Sequence, residues 1–321
     1  MKLVIQIPCY NEAAHLPATI ADLPRRIDGI DGIEVLVIDD GSTDGTADVA
    51  RSLGAHVVSV PHNRGLAHTF MLGLEQALLL GADIVVNTDA DNQYAGADIA
   101  KLVAPILANS ADFVIGARPI RDITSFSTVK KWLQRLGSWT VRRLSGTDVS
   151  DATSGFRAMN RAAALRLNVF SRYTYTLETI IQAEHHELRV ASVPVRVNPP
   201  TRPSRLVRSN LDYVWRTGSA MVRVFVVYRP FRSFMWPAAV LALAGLAIAL
   251  RFVYFYIAGD GLAGHVQSLI LAAILFGLAG TLAAVAFVGE LLSINRRLLE
   301  SLCLDARLRQ LERQRERSAD G

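Results

Sequence analysis

Five short apolar runs rich in Val and Ile mark the first third of the chain: Lys2–Ile7, Ile33–Ile38, His56–Val60, Ile84–Asn87 and Asp112–Ile115. Between them lie four stretches of helical length, Ala13–Arg26, Asp44–Leu53, Leu66–Leu80 and Asp98–Ala108. Strand-length runs alternating with helices predict an α/β fold with a mostly parallel sheet covered on both faces. In such a sheet, ligands bind beyond the carboxyl ends of the strands. Polar residues collect at those ends: Pro8-Cys9-Tyr10-Asn11-Glu12, Asp39-Asp40-Gly41-Ser42-Thr43-Asp44, His62-Asn63-Arg64-Gly65, Asp89-Ala90-Asp91, and Arg118.

The alternation ends before residue 233. Ser233–Ala258 and Ser268–Gly289 are almost continuously apolar, each long enough to cross about 30 Å of hydrocarbon as a helix. Both are expected to span a membrane, with buried core helices as the alternative. Arg251 lies near the far end of the first, where its long side chain can snorkel. The intervening loop, 259–267, has no Lys or Arg, whereas Arg-rich segments flank the pair. The positive-inside rule therefore puts both termini in the cytoplasm, on the inner face of a cytoplasmic membrane. Met1 runs straight into a strand-like segment, so no signal peptide is expected.

Composition agrees, because 51% hydrophobic residues among 321 is high for a soluble chain. The net charge of +5 is placed unevenly: residues 201–232 hold seven Arg against Asp212, and residues 118–143 hold seven basic residues against Asp122, leaving −7 on the rest. Positive charge gathered beside the spans suits anionic membrane lipids. No recognition-helix or interleaved aromatic pattern accompanies it, and nucleic acid is not an expected partner. Residues 206–232 mix Leu211, Tyr213, Trp215 and Phe225 with arginines, the composition of a helix lying among lipid headgroups. Residues 123–143 are similar and suggest a flap near the site; core-packed helices are the rival reading for both. Leu291–Arg317 reads as an Arg/Leu/Glu-rich helix that offers a contact for a second copy, although no sustained heptad supports a coiled coil. Cys9 and Cys303 are too few and too distant for a disulfide framework or a metal cluster.

The sharpest chemical feature is the abrupt stop of Ile84–Asn87 at Asp89 and Asp91. Carboxylates separated by one residue at a strand end can be brought to one side of the backbone and grip one cation. Magnesium or manganese, which take oxygen ligands and keep positions open for water or phosphate, suit such a pair, and they point to phosphate chemistry. Taken alone, the pair is better explained as a polar turn that punctuates a strand.

Several motifs in order change that balance. Pro8-x-Tyr10-Asn11-Glu12, Asp39-Asp40-Gly41-Ser42-Thr43-Asp44-Gly45-Thr46, Asn63-x-Gly65, Asp89-x-Asp91-x-Gln93 and Gly116-x-Arg118 resemble the family-2 glycosyltransferases with the GT-A fold. Asp89-Ala90-Asp91-Asn92-Gln93, Ser154-Gly155-Phe156-Arg157 and Arg202-Pro203-Ser204-Arg205 ahead of membrane helices are similar to the dolichyl- and polyprenyl-phosphate sugar synthases. The resemblance covers about residues 2–210 and implies a GT-A (Rossmann-like) domain. With the spans, the chain divides into that domain at 1–205, interfacial helices at 206–232, spans at 233–258 and 268–289, and a cytoplasmic tail at 290–321. The late motif departs from the family's Arg-x-x-Gly-x-Ser-Lys, so which arginine does which job stays open. The Gln-x-x-Arg-Trp signature of processive synthases is absent, favouring transfer of one sugar.

The resemblance implies a nucleotide-sugar donor held by Pro8, Tyr10, Asn11, Glu12, Asp39, Asp40, Ala90 and Arg118. It implies a metal held by Asp91, with Asp89 and Gln93 as first or second ligands. Ser154, Gly155, Glu178 and Ser204 are expected near the sugar or acceptor. Ser42, Thr43 and Asp44 precede a helix and are expected to cap it. If the acceptor is polyprenyl phosphate, its phosphate is already ionised near neutral pH, so no dedicated base is needed and inversion is expected. Cations must then hold that phosphate, and Arg202 and Arg205 are the candidates, with a solvated helix face as their bland alternative. A hydroxyl acceptor and a non-catalytic nucleotide-sugar-binding scaffold are the competing functions.

Overall fold

The computed structural model describes residues 1–119, 149–169, 175–199, 218, 219, 222, 225–258 and 266–319. All five expected runs form strands: β1 (Lys2–Cys9), β2 (Gly32–Asp39), β3 (His56–Ser59), β4 (Ile84–Asn87) and β5 (Phe113–Ala117). The expected helices appear as α1 (Leu16–Asp22), α2 (Thr46–Ser52), α3 (Leu66–Leu79) and α4 (Ile99–Leu107). The first is shorter than its pattern, because Pro17 suits only an opening turn and Leu23 turns extended at the other end. Two further strands, β6 (Arg157–Asn160) and β7 (Val190–Pro194), and two helices, α5 (Arg161–Arg166) and α6 (Thr176–His185), follow.

The seven strands form one sheet in the order β3-β2-β1-β4-β6-β5-β7. Pairing is parallel except around β6, which runs antiparallel to both β4 and β5. Parallel β1, β2 and β4 deliver Cys9, Asp39 and Asn87 to the same edge. Leu3, Ile5, Ile7, Val37, Ile84 and Val86 pack a fully buried core against α1 and α4 residues such as Leu16, Ile99 and Leu102.

Two ion pairs brace this domain. Burial opposes the charge of Asp98, but the Arg196 guanidinium and amide, then Lys101, outweigh it and hold the carboxyl down at about 2. The Arg189 guanidinium holds Asp112 down to about 2 as well. A carboxyl lowered by folding stabilises the protein above the unfolded value near 4 and loses that contribution as pH falls toward 2. Asp98→Asn and Asp112→Asn chains should therefore melt lower than the parent at neutral pH, and the gap should close in melts taken between about pH 4 and pH 2.

Among the described residues, two helices are long and apolar enough to cross a membrane: α7 (Pro230–Ala258) and α8 (Val266–Ala319). Their outward residues, including Trp236, Leu243, Tyr254, Ile257 and Phe287, are large and exposed. The expected tail continues the second helix without a break. Its buried positions recur every seven residues, at Ala272, Ala279, Ala286, Ser293 and Glu300. That period was invisible in the leucines because four of these five positions are small, Ala or Ser, which let helix backbones approach closely. Gly245 is such a point, since a Cβ there would stand 3.3 Å from Leu275 Cβ. Near the end of the helix, Arg307 donates to the carbonyls of Leu165 and Leu167 at 3.1 and 3.0 Å, covering the carboxyl end of α5.

Candidate active site

The loops at the carboxyl edge are tied to one another before any ligand is considered. Asn11, in the left-handed region at φ 53°, donates its amide to Ser42 Oγ, and its Oδ1 accepts the Thr43 amide, both at 2.9 Å. The Glu12 amide donates to Thr46 Oγ1, and that of Ala13 to Asp44 Oδ2. Of the three expected helix caps, Asp44 accepts the Thr46 amide at the start of α2, whereas Ser42 and Thr43 instead join the β1 and β2 loops. Pro8 is buried near the end of β1, and Tyr10 stands 45% exposed at the rim. Asp39 is buried and accepts the Ser42 amide. Asp40 turns the other way: its two oxygens accept the amides of Arg64 and Gly65 at 2.9 Å, so it anchors the loop before α3 rather than facing a ligand.

Beyond β4, the chain makes a tight turn. Asp91 Oδ1 accepts the Gln93 amide at 3.2 Å, Asn92 takes φ 54°, and the buried Ala90 carbonyl accepts from Thr19 Oγ1 at 2.8 Å. Asp89 keeps a partly open face, yet dense protein around it, then the charge of Asp91, pushes its carboxyl up to about 7, with Arg118 and Arg157 pulling the other way. A carboxyl raised in this way gains most from a cation bound beside it.

Gly155 floors this turn. A Cβ there would lie 3.0 Å from Asp89 Oδ1, 3.2 Å from Oδ2 and 2.9 Å from the Tyr175 hydroxyl. Only a residue without a side chain lets the carboxylate rest where it does. Gly155→Ala should displace Asp89 and cut turnover by about tenfold to a hundredfold, with a smaller change in melting temperature; turnover within twofold of the parent would show that Asp89 has room to move.

The floor is held by a buried polar network whose expected site residues are Gly155 and, through its carbonyl, Ser154. Asn87 Nδ2 donates to the Gly155 carbonyl and the Tyr175 hydroxyl, and Asn87 Oδ1 accepts from Gln6. The Gly155 amide donates to the Tyr94 hydroxyl. Phe70 stacks on Tyr175 at 3.9 Å and Tyr94 on Phe156 at 4.8 Å. Arg157 is wholly buried beneath, bonded among the described residues only to the Ser154 and Ala152 carbonyls and the Thr179 hydroxyl, with Phe113 and Tyr175 rings beside its guanidinium. Burial lowers its pKa to about 10, and it remains a fixed positive charge under Asp89.

Two expected contacts are redirected by this packing. Arg118 forms a two-pronged pair with buried Asp151, Nε to Oδ2 at 2.6 Å and Nη2 to Oδ1 at 3.1 Å, and also donates to Thr153. Burial alone would raise Asp151, but Arg118 outweighs it and holds the carboxyl below the usual range. Arg118 thus clamps the loop carrying Gly155 and reaches the site through its field. Ser154 is completely buried; its hydroxyl accepts the Phe156 amide, so it shapes the loop instead of meeting a sugar. Glu178 is buried in the first turn of α6, and Gln93 is half-buried beside Asp91. Arg202, Ser204 and Arg205, and the proposed flap at 123–143, lie outside the described residues. Asn87, Tyr175 and Arg157 were not expected at the site. Arg157 belonged to a recognised motif, whereas Tyr175 stood in no motif and gave no signal.

A mostly parallel sheet with loops gathered around a paired-carboxylate turn at its carboxyl edge is the GT-A arrangement. Glucosyl-3-phosphoglycerate synthase from Mycobacterium tuberculosis superposes with a TM-score of 0.54 over 70% of this chain and 79% of its own, at 23% identity. Its complex with Mn2+, uridine diphosphate and glucosyl-3-phosphoglycerate gives 0.52 over 70% and 78%, at 22% identity. Residues 4–167 match the glycosyl transferase family 2 model, and the chain belongs to that family. It is 32% identical over 216 residues to a UDP-N-acetylglucosamine–dolichyl-phosphate N-acetylglucosaminyltransferase of Methanococcus voltae, covering 59% of this chain and 83% of that protein. An undecaprenyl-phosphate mannosyltransferase of Micrococcus luteus is 30% identical over 206 residues, covering 61% and 83%.

Proposed function

We propose that this chain is a membrane-anchored enzyme that moves one sugar from a nucleotide sugar to polyprenyl phosphate, with inversion at the anomeric carbon. The observation that carries the reading is the Asp89–Asp91 turn at the end of β4, where burial, then the charge of Asp91, raises Asp89 to about 7. Such a pair fits a hard divalent cation, and among the described residues no third His, Cys, Asp or Glu closes a cage around it. Asp89 and Asp91, with Gln93 beside them, would hold Mg2+ or Mn2+, which when bound supplies charge neutralisation for a diphosphate leaving group.

The chain's own residues divide the remaining work. Tyr10 offers an exposed ring to the base, and the β1 and β2 loops, with Asn11, Glu12 and Asp39, surround the nucleoside. Gly155 brings backbone against the sugar's side of Asp89. An acceptor phosphate oxygen attacks the anomeric carbon from the face opposite the diphosphate, the new C–O bond forming as the old one gives its electrons to the departing nucleoside diphosphate. No proton has to be removed from the nucleophile, which suits a site whose carboxylates are engaged with metal. Arg202 and Arg205 would grip the acceptor phosphate. In support, Asn198, four residues before Arg202, is hydrogen-bonded to Gln93.

The donor is tested by offering the full-length chain labelled UDP- and GDP-sugars with polyprenyl phosphate and extracting lipid. Label from one donor should enter the lipid phase; label that instead enters water-soluble glycan or a lipid hydroxyl would replace this reading with the hydroxyl-acceptor alternative. The spans are proposed to place both termini in the cytoplasm, meeting anionic lipid through the 201–232 arginines. Impermeant cysteine reagents should then reach single-cysteine probes only within 259–267, and labelling of the 290–321 tail from outside would reverse the topology.

A further inference from the structure

The segment leaving β7 is stitched to the carboxylate turn residue by residue. The Arg196 amide donates to Asp98 Oδ2 at 2.6 Å, its guanidinium reaches both Asp98 oxygens, and its carbonyl accepts the Ala95 amide at 3.3 Å. Val197 pairs with Tyr94. Asn198 then closes on the turn itself: its amide donates to the Gln93 carbonyl at 2.8 Å and its Nδ2 to the Asn92 carbonyl at 3.0 Å. Asn92 holds the left-handed conformation, which costs an L residue energy unless its surroundings fix it. The Asn92 carbonyl belongs to the same peptide as the Gln93 amide that binds Asp91 Oδ1, and the Gln93 carbonyl to the next one, so whatever fixes them also fixes the direction of Asp91.

We propose that Asn198 is a positioning residue for metal capture: it holds the left-handed turn that keeps Asp91 beside Asp89. The inference rests on the metal reading above and concerns a residue that lies in none of the motifs. Its side-chain bond is the part that can be removed without touching the backbone.

The test is the affinity of the full-length chain for Mn2+ with uridine or guanosine diphosphate present, read from the paramagnetic resonance of free Mn2+ and set beside the melting temperature. Asn198→Ala should weaken Mn2+ binding about tenfold, as loss of a ligand-orienting bond does, with a melting temperature within about 4 °C of the parent. Asn198→Asp should lose at least as much, because a carboxylate oxygen would face the Asn92 carbonyl. Arg196→Ala, at the other end of the stitch, should do the reverse, lowering the melting temperature while Mn2+ affinity stays within about twofold. Asn198→Ala binding Mn2+ like the parent, or losing it only in step with melting, overturns the proposal. If Asp91→Ala abolishes Mn2+ binding while Asn198→Ala does not, the inference alone fails; if Asp91→Ala binds Mn2+ normally, the metal reading fails and takes the inference with it.

Discussion

Asp91→Ala should lower sugar transfer at least about a thousandfold while leaving a folded chain, because it removes half of the carboxylate pair that would hold charge on the departing diphosphate. Chelation of divalent metal should do the same to the parent. Folding is expected to survive, since Asp91 is not part of the core and its neighbour Asp89 is pushed up to about 7 by burial and by Asp91 itself. A carboxyl whose folded value is raised weakens the fold once pH exceeds its unfolded value near 4. Removing the like charge relieves that cost, so the metal-free Asp91→Ala chain should melt no lower than the metal-free parent at pH 8. The same shift gives a pH dependence: the pair must shed a proton to bind metal, so Mn2+ affinity of the parent should climb as pH rises toward about 7 and level off above it. Near-normal turnover by Asp91→Ala, or Mn2+ affinity flat from pH 5 to pH 8, would remove the metal from the reaction.

The double variant Arg202→Ala, Arg205→Ala should lose acceptor use while keeping donor binding. Charge-assisted hydrogen bonds to phosphate are worth about 1.5–3 kcal/mol each, so the pair should cost roughly a hundredfold to ten-thousandfold in kcat/KM for polyprenyl phosphate. Lysine at both positions should be intermediate, keeping attraction without the planar fork. Nucleoside diphosphate affinity, measured separately, should stay within about twofold, because the donor loops at β1, β2 and β4 do not include these arginines. Unchanged acceptor kinetics in the double variant would place the phosphate elsewhere.

Five strands were legible because their Val and Ile runs need a buried pleated surface whatever follows. β6 was not: Arg157-Ala-Met-Asn begins and ends in polar residues, and it is a strand only because β4 and β5 flank it. Among the site residues, Asp89 and Asp91 stood out because the ordered motifs around them outweigh the polar turn that a lone Asp-x-Asp suggests. Arg118 and Asp40 were visible for the same reason, yet pattern cannot tell a charge that meets a ligand from one that ties a loop. Asp151 decides the first case and the Arg64 and Gly65 amides the second. Asn87, Tyr175 and Asn198 act across long sequence separations and leave no local trace. Tyr175 lies 88 residues from its partner Asn87, a distance that only the fold closes.

The central claim is that an ionised lipid phosphate, not a hydroxyl activated by a base, attacks the sugar beside a metal-bearing Asp89–Asp91 turn. The most direct measurement offers the purified full-length chain, with its working donor, polyprenyl phosphate or the matching polyprenol, each with Mg2+ or with chelator, across pH 5 to 8. Label should enter lipid only with the phosphate and the metal both present, and the rate should follow the second ionisation of a phosphate monoester near pH 6. Transfer to free polyprenol, or undiminished transfer to polyprenyl phosphate in chelator, would contradict it.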